Sequence, residues 1–275
     1  MIYFICAFYQ EAAPFLDKFK LKRRSDFVKY QVFSSDEMIL LITGTGMISS
    51  AIAATYLFTM RNPTSSDIMI NYGVCGCTNP EIPLGTTFLC NKLTDFCTKR
   101  TYYPDILFRH PFKETDISTY PTVQTTLADK ISCLVDMESS SLYQAAEPFF
   151  QTNQMFFLKT VSDYLTQQPI EKESLQTIIN RSSELIISWI TCIHNATKEE
   201  LAATYSWNGN VTQIMSNLML SVTMQHQLKQ LLHFYSLQHT DIDDVVAQME
   251  IQSRNCKSKR EGKKYFEQFR TQLIQ

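Results

Sequence analysis

The strongest constraint in this sequence is the alternation, over its first two thirds, of short apolar runs with helix-periodic stretches. The runs fall at 2–8 (IYFICAF), 38–43 (MILLIT), 67–72 (DIMINY), 86–90 (TTFLC), 131–135 (ISCLV) and 155–161 (MFFLKTV). Each is too short for a buried helix and rich in β-branched or aromatic residues, so each reads as a strand covered on both faces. Helical periodicity lies between several of them, at 11–20, 47–61, 139–150 and 171–196, the last carrying Leu175, Ile178, Ile179, Leu185, Ile186 and Trp189. Strands alternating with helices give an α/β sheet with helices on its faces, and such sheets hold ligands at the carboxyl ends of their strands.

Beyond about residue 197 strand-like runs stop and helical periodicity takes over. One helix is predicted through Ile214, Leu218, Val222, Leu228, Leu231 and Leu232. A second runs through Ile242, Val245, Val246 and Met249 with Thr240 as its N-cap, and a third follows Gly262 with Phe266, Phe269 and Leu273 on one side. The expected boundaries are therefore 1–196 for the α/β domain and 197–275 for an all-α appendage. At 275 residues the chain can bury a large core without covalent staples.

Composition narrows the function. A net charge of −2 gives no global attraction to nucleic acid or anionic lipid. Eight scattered cysteines sit mostly within apolar runs, and Cys75 and Cys77 have no second Cys or His pair at zinc spacing, so reduced core residues and no metal site are expected. The opening IYFICAFY has no basic region before it, and no segment approaches 18 or so apolar residues, which predicts a cytoplasmic protein without a membrane span. Arg254, Lys257, Lys259, Arg260, Lys263 and Lys264 form a local basic cluster without interleaved aromatics, which reads as a solvated face rather than a nucleic-acid site.

Four strand ends carry candidate chemistry. Four of the seven glycines form two close pairs. Gly44 and Gly46 in LLITGTGMISSAIAA mark a strand turning into a helix whose N-terminus suits an anion or a hydroxyl, or simply a tight turn with close packing. Gly73 and Gly76 in IMINYGVCGC read as a second glycine turn at the end of a buried strand. LVDMESSSLYQAA delivers Asp136, Met137 and Glu138 to a helix start, where carboxylates also serve as plain caps. MFFLKTVSDYL ends on Ser162 and Asp163, with the same structural alternative.

Taken in order, these motifs over residues 1–195 or so resemble the purine nucleoside phosphorylase and 5′-methylthioadenosine/S-adenosylhomocysteine nucleosidase superfamily. FICAFYQEAAPFLDK is similar to its opening strand and acidic helix start, TGTGMISSAIAA to its TGxGxxxAA segment, NYGVCGC to its xxGxxGG-type turn, and VDMES and VSD to its ribose and purine strand ends. The resemblance implies a three-layer phosphorylase/hydrolase-like α/β fold with a mixed central sheet, no cofactor, a purine nucleoside as ligand, and a homodimer in which a neighbouring subunit completes the pocket.

It also implies residue roles. Glu138 would hold the ribose hydroxyls and Met137 would pack on the sugar, with Thr45, Gly46, Gly73 and Val74 along the same pocket. Asp163, raised toward neutrality by burial, would protonate purine N7 with Ser162 orienting it, and Glu11 would position or deprotonate water. Family phosphorylases carry arginine and a hydroxyl residue near NYGVCGC to grip phosphate, whereas this chain has Asn71 and Val74. Burying a dianion without donors is costly, which favours water as nucleophile and an adenosine-like thionucleoside as substrate. Val74 also replaces the serine usual in the nucleosidase branch, which leaves open a nucleoside-binding or regulatory protein with weak chemistry; a phosphate-dependent phosphorylase of the same superfamily is the other alternative. The stretch Arg100–Lys130 does not align; Phe96, Tyr102, Tyr103, Phe108 and Tyr120 are candidate base-stackers, with ordinary packing the better reading of each.

Overall fold

A computed structural model describes residues 1–107, 109–125, 132–165, 172–238, 241–254 and 256–274. The chain divides into two compact units, Met1–Ile193 and His194–Gln275.

The first unit is built on a mixed sheet. Its strands are β1 (Ile2–Cys6), β2 (Lys22–Arg23), β3 (Gln31–Ser34), β4 (Met38–Ile42), β5 (Ile68–Cys77), β6 (Thr87–Asp95), β7 (Thr101–Tyr102), β8 (Lys113–Thr119), β9 (Leu134–Asp136) and β10 (Met155–Asp163). The parallel core β4-β1-β5-β10 matches the runs expected to be buried on both faces. β5 is the hub: β10 lines one edge, while β1 pairs with its first half and β9, antiparallel, with Gly76 and Cys77 at its end. β10 continues to β6, β6 to β8 and β8 to β9, so these five strands close on themselves.

Helices α2 (Met47–Arg61) and α3 (Ser139–Ala146) cover one face with Ala53, Ala54, Leu57, Phe58, Leu142 and Ala146. Helix α1 (Tyr9–Lys18) and the first part of α4 (Lys172–Asn217) cover the other with Ala12, Phe15, Ile179, Ile186, Trp189 and Ile190. This is the three-layer arrangement expected. On the second face Phe15 packs between Phe4 and Tyr72, with ring centroids 4.4 and 5.2 Å away. Such contacts add to the burial of their large apolar area.

Three expectations change. NYGVCGC is not a turn: Gly73 and Gly76 lie inside β5, because β10 hydrogen-bonds alongside it through Asp163 and keeps it extended. The predicted helix through Ile214 and Leu232 is two elements, since α4 ends at Asn217, Met219 adopts φ 51° and α5 (Val222–Gln238) starts anew. Gly262 stands inside α7 (Lys259–Ile274), not before it, and the proposed cap Thr240 of α6 (Ile242–Ser253) lies outside the described residues. Past Asp163 the described elements are all helical, and in the second unit Val211, Leu218, Leu228, Leu232, Val246, Phe266 and Phe269 form a separate core. The basic cluster is exposed around α7, with Arg254 paired to Glu250 and the Lys257 amide capped by Glu261. No described helix is long and apolar enough to cross a membrane.

Candidate functional site

The carboxyl ends of β1, β4, β5, β9 and β10 converge on a cavity of about 250 Å³. Glu11, Thr45, Val74, Gly76, Asp136, Met137, Glu138, Ser162 and Asp163 line it, joined by Phe8, Val123, Gln124, Leu165 and Leu175. Of the residues expected there, Gly73 and Gly46 are set back. Gly46 reaches the site through its amide, and Gly73 is the bare spot against which Glu11 lies.

Glu11 is the third residue of α1, a position where a carboxylate caps the helix. It does this, with Oε2 accepting from the amides of Ala7 at 2.8 Å and Phe8 at 3.3 Å. Its other oxygen accepts from the Val74 amide at 2.8 Å and so ties α1 to β5. A Cβ at Gly73 would stand 3.0 Å from Glu11 Oε1 and 3.3 Å from Lys159 Nζ, so glycine leaves room for both. Glu11 is 1% exposed. Burial pushes its carboxyl up to about 7 against the amides of Val74 and Ala7 and the Lys159 ammonium, all of which favour the charged form.

The acidic strand end divides its labour. Asp136 is the structural cap of α3: Oδ2 accepts from the Ser139 amide at 2.9 Å and its hydroxyl at 2.6 Å, and Oδ1 from Thr119 Oγ1 at 2.8 Å. It also binds Lys159 Nζ at 2.9 Å. Burial works against its charge, but Lys159 and these hydroxyls outweigh burial and hold the carboxyl below its ordinary range. Glu138, freed from capping, reaches over to α2, where Oε1 accepts from the Gly46 amide at 2.7 Å. Gly46 is the N-cap of α2 with φ 96°, a conformation that other residues rarely adopt. The anion expected at this helix N-terminus is thus the protein's own carboxylate. Burial, then the nearby Asp136, raises the Glu138 carboxyl.

β10 ends on Ser162 and Asp163. Asp163 Oδ1 accepts from the Leu165 amide at 2.8 Å, while Ser162 Oγ lies 2.8 Å from Asp163 Oδ2 and 3.1 Å from the Cys75 carbonyl, two acceptors for one proton. The burial expected for Asp163 is only partial, because it sits at the strand's rim while Glu11 and Glu138 sit below. Gly76 sets this rim: a Cβ there would meet Leu165 Cδ2 at 2.2 Å and Asp163 Oδ1 at 3.3 Å.

Among the described residues, the candidate base-stackers do not line the cavity. Phe96 and Tyr120 stack on each other at 4.1 Å, Tyr102 stacks on Tyr143 at 4.8 Å, Tyr103 points to solvent, and Phe108 lies outside the described residues. Among the described lining residues, Phe8 is the one aromatic. Sequence reasoning also missed Lys159 and the part Asp136 plays. The signal was present: MFFLKTV puts a lysine in the middle of a strand whose apolar neighbours demand burial on both faces.

No protein-family model and no curated protein matches the sequence. Solved structures do match. An Arabidopsis thaliana 5′-methylthioadenosine nucleosidase superposes with a TM-score of 0.58 at 17% identity, over 71% of this chain and 95% of that one. An S-adenosylhomocysteine nucleosidase from Streptococcus pyogenes, in complex with 5-methylthiotubericidin, gives 0.57 at 17% identity over 69% and 95%. A Campylobacter jejuni 5′-methylthioadenosine/S-adenosylhomocysteine nucleosidase gives 0.55 at 14% identity over 68% and 96%. The fold is the nucleosidase fold. Almost the whole of each nucleosidase is covered, whereas about 30% of this chain extends beyond the likeness, which leaves room for a separate helical unit of the size seen here.

Proposed function

We propose that this chain cleaves the N-glycosidic bond of a purine nucleoside with water, acting on adenosine-like thionucleosides. The observation that carries the reading is the set of Glu11, Glu138 and Asp163, brought from three separate segments onto one nucleoside-sized cavity. Bond cleavage builds positive charge on the ribose and negative charge on the purine, so the site must serve both ends. Glu138 accepts from the ribose hydroxyls and stabilises the cationic sugar, with Met137 packed against it. Asp163, oriented by Ser162, donates a proton at purine N7. Glu11, its lone pairs aimed by three backbone amides, positions water and takes its proton.

Water is favoured over phosphate by charge. Carboxylates line the cavity at Glu11, Asp136, Glu138 and Asp163, with no lysine, arginine or histidine among the described lining residues. A phosphate dianion would meet like charge in a site of low dielectric. The same charge pattern suits a nucleoside better than a nucleotide. No cofactor is needed for this chemistry.

The test is to incubate the protein with methylthioadenosine, S-adenosylhomocysteine, adenosine and inosine, with and without phosphate, and to measure free base. Phosphate-independent release is expected. Release that requires phosphate would make it a phosphorylase, and tight binding without release would make it a binding protein. If Glu11 is the base, kcat/KM should fall as pH drops through about 7, because protonation removes the lone pair that accepts from water. A flat profile between about pH 6 and 8 would exclude that role.

We further propose a homodimer through α2. Ile48, Ile52, Tyr56 and Met60 recur every fourth residue, are 38–77% exposed, and stand in a stretch from Met47 to Met60 that has no charged residue. Apolar faces of this kind mark protein contacts, and an uncharged face meets its own copy without repulsion. Sedimentation velocity should give twice the chain mass, and Ile52→Lys should return it to the monomer value. The free cysteines suit a reducing compartment, in keeping with a cytoplasmic enzyme.

A further inference from the structure

Lys159 is 1% exposed in the middle of β10, the most buried kind of place for a residue type that is almost never buried without a partner. Its Nζ binds Asp136 Oδ2 at 2.9 Å, and it shares one side of Gly73 with Glu11. Lys159 does not line the cavity itself, but Asp136 and Glu11 both do. The groups that face it are Glu11 from α1, Asp136 from β9, Glu138 from the start of α3, Cys6 from β1, Cys75 from β5 and Cys90 from β6. Three carboxylates therefore surround one ammonium, and full ionisation would leave two uncompensated negative charges out of water. Such a set lowers its energy by holding a proton, and the position of the cation decides where.

We propose that Lys159 is a positioning residue: pinned to Asp136 and set beside Glu11, its ammonium determines which of the three carboxylates is charged when substrate enters. Asp136 lies closest and stays ionised. Glu11 and Glu138 share the rest of its field, which leaves Glu11 able to give up a proton near neutrality and so to act on water. The inference deepens the nucleoside-hydrolase reading and rests on it for its kinetic arm alone.

The experiment compares Lys159→Met, Lys159→Gln and Lys159→Arg. Carbon-13 NMR of the glutamate carboxyls in the folded, unliganded full-length protein, with Glu11 assigned through Glu11→Gln, follows its titration without any substrate. In the methionine and glutamine variants Glu11 is expected to titrate about one to three pH units higher than in the parent, since an opposite charge has been removed. The acid limb of kcat/KM is expected to move by the same amount, and arginine, which keeps the charge, is expected to return both toward the parent. Glutamine can still donate to Asp136, so it keeps the test alive if methionine costs the fold. A merely structural role would lower the folded fraction and scale activity without moving either titration. Glu11 titrating at the parent's pH in a folded glutamine variant would overturn the proposal. A parent that cleaves no nucleoside would sink the hydrolase reading and leave the NMR arm standing.

Discussion

Asp163→Asn is expected to lower turnover by about 10²–10⁴-fold and to leave the fold unchanged. The carboxylate does two things in the unliganded protein: Oδ1 accepts from the Leu165 amide and Oδ2 receives the Ser162 hydroxyl. An asparagine keeps the first bond through its own carbonyl oxygen. Its NH₂ cannot accept from Ser162, but that hydroxyl has the Cys75 carbonyl within 3.1 Å as an alternative, so no buried donor is stranded. What the substitution removes is a transferable proton, because an amide does not protonate purine N7 at neutral pH. The check is steady-state release of base from the best substrate, with melting temperature measured alongside. Turnover close to the parent's in a folded variant would exclude Asp163 as the acid.

Gly262→Ala is expected to destabilise the second unit by about 2 kcal/mol. Two effects oppose each other. Alanine inside α7 gains about 1 kcal/mol over glycine in helix propensity. Against this, a Cβ at Gly262 would lie 1.9 Å from the carbonyl oxygen of Leu218 and 2.8 Å from its carbon, at the end of α4. Over-packing costs about 1–3 kcal/mol where side chains can shift, and here the obstacle is backbone that cannot rotate aside, so the upper end applies and the clash wins. For a unit of this size, His194–Gln275, that corresponds to a melting temperature lower by roughly 10 °C. Thermal unfolding of the full-length chain followed by circular dichroism reads it directly. An unchanged or raised transition would mean that the helices do not approach so closely.

How much of this molecule could be read in advance varied with the kind of signal. Helix α2 was legible to the residue at Met47–Arg61, because a glycine start and an arginine in its last turn bracket an unbroken helical pattern. β8 was missed, since Lys113–Thr119 reads as polar. Its hydroxyls are buried, with Ser118 bonded to Ser132 at 2.7 Å and Thr119 to Asp136 at 2.8 Å, and a linear pattern cannot distinguish a satisfied buried hydroxyl from a solvated one. In the sequence Gly73 and Gly76 read as a turn, whereas both lie inside β5. Their reason is steric room, at Gly73 for Glu11 and Lys159 and at Gly76 for Leu165 and Asp163, residues up to 89 positions distant in sequence.

By itself the sequence determined the α/β class, the switch to helices in the last third, and the strand ends that carry Glu138 and Asp163, because periodicity and apolar length are local properties that burial enforces. The tertiary structure alone decided how the acidic side chains there are bonded. Asp136 and Glu138 are separated by one residue, yet one caps a helix and binds Lys159 while the other crosses to Gly46 and remains in the cavity. Burial raises the Glu138 carboxyl while the directly bound Lys159 ammonium and the hydroxyls of Ser139 and Thr119 lower that of Asp136, and none of these neighbours is in place until β8, β9, β10 and α3 have packed together.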